Sequence, residues 1–154
     1  MKIALKYGLL ITAVVVAWIV IVRLLMGVGA DSKANVIAPI LVNLTAILAI
    51  YLGMKTRKNE LRGELSFKEG LKTGMAISLV YAVSSCIFFM IEYLVAGPKL
   101  LLSEAGPQTG PMWQVAVIAY AGLFLGALLF GLIYSTVISF FIARRQRHQT
   151  TEMI

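Results

Sequence analysis

The sequence is poor in the residues that most metal-binding and catalytic sites require. Its 154 residues include one cysteine, Cys86, and one histidine, His148. A lone thiol excludes an internal disulfide and any multi-thiolate metal site. His148 sits in the C-terminal tail with no second histidine or acid cluster beside it, so no metal-ligand set is predicted. Charge is scarce as well: 14 basic and 7 acidic side chains make up 14% of the chain, where a soluble domain carries about 25%. Apolar residues reach 60% against about 45–50% in soluble domains. These proportions exclude a soluble globular domain and a disordered chain. The formal net charge of +7 therefore does not point to a nucleic-acid partner.

The apolar residues fall into four blocks, at about 5–26, 36–54, 71–95 and 113–143. Crossing a hydrocarbon core of about 30 Å takes about 20 helical residues at 1.5 Å each. A β-span needs only about 9–11 residues and alternates in polarity; these blocks are longer and do not alternate. The chain is predicted to be all-α, a single polytopic membrane domain forming a four-transmembrane-helix bundle. A loop at 55–70, a second loop at 96–112 and a basic tail at 144–154 complete it. The first block also has features of a signal peptide, since Lys2 and Lys6 precede it and Val28-Gly29-Ala30 resembles a cleavage site. Its apolar stretch between Lys6 and Arg23 is 16 residues long, beyond the usual 7–15, which favours an uncleaved helix.

Orientation follows from the basic residues. Eleven lie on one side of the blocks, from Lys2 and Lys6 through Lys55–Lys72 to Arg144, Arg145 and Arg147. Only Arg23, Lys33 and Lys99 lie on the other. Lys and Arg concentrate in short cytoplasmic loops, so both termini and the loop at 55–70 are expected to be cytoplasmic, in a cytoplasmic (inner) membrane. The basic loop and tail are also suited to anionic lipid.

The central loop contains a Ser66-x-x-Glu69 capping box, which would open the third helix by satisfying two otherwise open amides. Gly63 marks a break before it, and segment 57–65 reads equally as a short surface helix or a solvated linker. The other loop is rich in Pro and Gly, including Pro98, Pro107 and Pro111, and cannot continue a helix. With Asp31, Lys33, Lys99 and Glu104 as its nearby charges, that side has no domain able to process anything large.

Gly53, Lys55 and Arg57, followed by Gly63, Leu65-Ser66-Phe67, Gly70 and Gly74, resemble the central pattern of a bacterial family of four-helix membrane proteins, domain of unknown function 4199. The resemblance would cover almost the whole chain. It brings no established catalytic or binding residues. It implies an accessory role, because relatives occur beside membrane-associated glycosyltransferases.

No G-x-S-x-G, H-E-x-x-H or phosphate-binding glycine loop occurs. Cys86 follows Ser84-Ser85 in mid-span with no neighbouring base, so it reads as a packing residue. No enzyme and no cofactor are predicted. The polar residues within the blocks are mostly hydroxyls, which bond their own helix or a neighbour. Asn43 is different, because an amide in hydrocarbon needs several partners; it would bind helices together or line a substrate path. Pro39 is expected in the first turn of the second helix. Gly122-x-x-x-Gly126, with Gly131, is read as the site where the fourth helix approaches another helix closely, within the bundle or in a second copy. Arg23 and Glu92 are expected near the outer boundary, where each can snorkel alone or the two can pair at an outward-facing pocket.

Two functional readings compete. The first is a non-enzymatic accessory or scaffold subunit acting through helix contacts, with itself or with a glycosyltransferase or other envelope protein. The second is a small homo-oligomeric transporter or channel subunit. A transporter favours ionisable groups or broken helices at the midplane. The midplane here has Asn43 and hydroxyls, which favours the first reading.

Overall fold

A computed structural model describes residues 1–25, 34–97 and 111–151, with the backbone alone at 23–25, 34–36, 96 and 143–151. The described residues form four long helices: α1 (Lys2–Ile19), α2 (Ala34–Glu60), α3 (Phe67–Ala96) and α4 (Met112–Thr151). Each contains a window long and apolar enough to cross a membrane. α1 continues into a π-helical turn at Val20–Leu25, a widening that the apolar pattern of this stretch does not foreshadow. The sequence-predicted loop at 96–112, with its charges, lies almost entirely outside the described residues, as do Asp31, Lys33 and the end of the tail.

α1 begins, α2 ends, α3 begins and α4 ends at one pole, here called the basic end because Lys2, Lys6, Lys55, Arg57, Lys58 and Arg62 lie there. The core sits near this pole. Ile11, Ile50, Met54, Leu65 and Ile77 are fully or almost fully buried and form one cluster with Tyr7 and Ala49. Lipid is as apolar as these side chains, so what the cluster contributes is close van der Waals packing between α1, α2 and α3. Tyr7 adds a hydrogen bond to Thr56 Oγ1 at 2.9 Å. Because the Thr56 hydroxyl already donates to the Leu52 carbonyl, Tyr7 is the donor.

Residues 55–60 continue α2 and are not loop, and the chain reverses within 61–66. The Gly63 amide reaches the Lys58 carbonyl at 2.9 Å and the Arg62 amide reaches that of Asn59 at 3.2 Å. These two bonds, with Arg62 at φ 56°, form a Schellman stop. Gly63 at φ 96° needs the freedom of a residue without Cβ. Leu65 then folds back into the core at 2% exposure, so 57–65 is neither a surface helix nor a linker. Ser66 caps α3: its hydroxyl accepts from the Glu69 amide, and the Glu69 carboxylate accepts from the Ser66 amide.

Pro39 lies in the second turn of α2, not the first, because the helix begins at Ala34. Its missing N–H would have served the carbonyl of residue 35, so the loss falls close to the helix start. α4 has 40 residues, about 60 Å at the usual rise, and its helix continues into the basic tail as far as Thr151.

Candidate functional site

The contact between α3 and α4 is the most extensive in the bundle, and it is made of small residues. Gly70, Gly74 and Ser78 recur every four residues on α3; Gly131, Ser135 and Ser139 do the same on α4. The two rows meet antiparallel. A Cβ on Gly70 would lie 2.5 Å from Ser139 Oγ. One on Gly74 would collide with Ser135 and come within 2.8 Å of Met54 Cε, and one on Gly131 would collide with Ser78. Small residues at this spacing allow two membrane helices to approach backbone to backbone. Gly8 of α1 is equally tight against Val80 of α3, at 2.6 Å for an added Cβ.

Within the chain, Gly122 and Gly126 make no close approach to another helix. An added Cβ at either would meet nothing within 4 Å. Only Gly131 of the three packs. The G-x-x-x-G pattern marks a face without side chains, and here that face borders open volume in place of a neighbouring helix.

That volume is a cavity of about 570 Å³ between the four helices, with Trp18, Pro39, Asn43, Tyr81, Phe89 and Tyr134 among its lining residues and Gly122, Gly126 and Ala127 along its α4 side. Ile11, Ile50 and Ser78 close it toward the basic end, where the core begins. Its size falls within the about 300–1,000 Å³ usual for small-molecule sites. None of its described lining residues is charged. Its polar groups are the indole of Trp18, the hydroxyls of Ser78, Tyr81 and Tyr134, and the amide of Asn43.

Asn43 is positioned from two directions. Tyr134 of α4 donates its hydroxyl to Oδ1 at 2.5 Å, and Nδ2 donates to the Pro39 carbonyl one turn back at 2.7 Å. The Tyr134 ring stacks on Phe130 with centroids 6.1 Å apart. Asn43 thus joins α2 to α4, the helix-binding role open to it in the sequence, and also borders the cavity. An amide has two N–H groups and two acceptor lone pairs; among the described residues, these two bonds leave one N–H available. Away from the cavity, Thr12 and Ser84 approach to 2.6 Å between α1 and α3.

Glu92 lies half-buried on α3, close enough to Tyr120 of α4 to act on it electrostatically. The Arg23 backbone is in the π turn, but its side chain is outside the described residues, and so therefore is the expected pair. Cys86 is half-buried on α3. Among the described residues, no three His, Cys, Asp or Glu side chains are grouped as a metal site would need.

The fold and cavity define a helical membrane protein with four helices long and apolar enough to cross a bilayer. The family model described as "Protein of unknown function (DUF4199)" matches residues 6–103, more than half of the chain, and the protein belongs to that family. The match includes most of α1, all of α2 and α3 and their glycines, but stops short of α4. No curated protein and no solved structure matches the chain.

Proposed function

We propose that this protein is a non-enzymatic accessory or scaffold subunit of the cytoplasmic membrane, acting through helix contacts with another envelope membrane protein. Both termini and the turn at 61–66 are then cytoplasmic, in keeping with the basic residues gathered at that pole. The observation that carries the reading is the environment of α4. It packs along α3 and only sparsely against α2, which leaves Leu125, Leu129, Ile133, Val137 and Phe141 at least half exposed on its outer side. A helix held mainly along one seam, with a long apolar face beyond it, can receive a second membrane protein.

A photo-crosslinker at Leu129 or Ile133, used in the native host, tests this. One envelope protein captured in constant ratio is the expected product; lipid adducts alone would remove the reading. Crosslinks to a second copy only would favour the other reading, a homo-oligomeric transporter or channel subunit, to which the central cavity is suited. The orientation is tested by cysteines at Glu60 and Thr150 after replacement of Cys86: labelling by an impermeant reagent from outside would overturn it.

A further inference from the structure

We infer that the cavity between the four helices is a binding site for one neutral, largely apolar lipid that carries a carbonyl or hydroxyl group. The inference holds under either functional reading above. Protein interiors are packed like organic crystals, so a half-open hollow of about 570 Å³ between these helices offers room for an occupant, and lipid is the medium around an apolar bundle. The lining selects among hydrocarbons. Trp18, Phe89 and Phe130 supply apolar and aromatic surface, and Gly122 and Gly126 keep the α4 side flat by offering no side chain to the space before them.

Selectivity comes from Asn43. Tyr134 and Pro39 hold its amide in one orientation, and its second N–H needs an acceptor, since an unsatisfied amide in hydrocarbon is costly. A bare acyl chain cannot supply one. Asn43 is seven residues from Val36, where the apolar block of α2 begins, a rise of about 10 Å. A phospholipid keeps its carbonyls near the interface because its charged headgroup must stay in water. A neutral glyceride or long-chain alcohol has no such anchor and can sink to this depth. The absence of any charged group from the described lining gives an anionic headgroup nothing to pair with.

Trp18 faces the cavity and is one of two tryptophans, so a Trp113→Phe chain carries a single reporter at the site. The full chain would be reconstituted in phosphatidylcholine vesicles containing increasing dibrominated diacylglycerol, and quenching of Trp18 followed. The expected result is a saturable component above the linear rise due to bulk lipid. Gly126→Leu or Gly122→Leu, which fill the space, should abolish that component while the protein stays folded by circular dichroism. Asn43→Leu should weaken it about five-fold, the value of one hydrogen bond. Dibrominated phosphatidylglycerol should give the linear rise alone. Purely linear quenching by diacylglycerol, unchanged by either glycine variant, would overturn the site. Equal saturation by phosphatidylglycerol would overturn its preference for a neutral lipid.

Discussion

Near the basic end Gly70, Gly74 and Gly131 each meet a serine of the facing helix, whereas Gly122 and Gly126, further along the same α4, border open space. The first group serves adhesion: removing side chains brings two backbones together, and the core of Ile11, Ile50, Met54 and Ile77 closes beside them. The second group serves capacity, since removing side chains where no helix approaches creates volume. One residue type thus has opposite structural effects within a single helix, and the opposing partner decides which. The difference also separates a half built for rigidity from a half able to hold a guest.

The largest expected effect is at the adhesive half. Gly74→Leu should destabilise the bundle by about 3 kcal/mol, because its first added carbon already collides with Ser135 and overpacking a tight interface is costly. Thermal unfolding in detergent measures it, and an unchanged midpoint would remove the α3–α4 seam as the main support. Ser66→Ala comes next, at about 1 kcal/mol, through loss of the cap at the start of α3; the same unfolding assay reports it. At the boundary between the halves, a double-mutant cycle of Asn43→Leu and Tyr134→Phe should give a coupling of about 0.6 kcal/mol, the usual value for hydrogen bonds between membrane helices. Strictly additive losses would show that the 2.5 Å contact does not join α2 to α4. The smallest effect belongs to Gly126→Leu, a change of less than about 0.5 kcal/mol, because the new side chain enters space already empty of protein. A loss as large as that of Gly74→Leu would erase the distinction between the two halves.

Several of these features were legible beforehand. The helix count and approximate limits follow from block length, since no other backbone form satisfies its own hydrogen bonds over 20 apolar residues of hydrocarbon. The cap at Ser66 and Glu69 is equally local: three residues and two bonds specify it. Helix ends were read less well, because α2 and α4 continue through charged residues that helices accommodate readily outside lipid. The significance of Gly70 and Gly74 was visible only as a pattern shared with the family. Nothing in their own neighbourhood states that Ser135 and Ser139, more than 60 residues later, are what they touch.

By itself, then, the sequence determined composition-level and local properties: four apolar helices, the cap of α3, a chain break at Gly63 and the one-sided basic charge. These depend on residues close along the chain or on totals over it. The tertiary structure alone decided which glycines pack and which open a cavity, where the core lies, and that Asn43 meets Tyr134 across 91 positions. The physical reason is that a glycine's effect, like that of an amide in hydrocarbon, is set by what stands opposite it, and opposition is a property of the folded bundle.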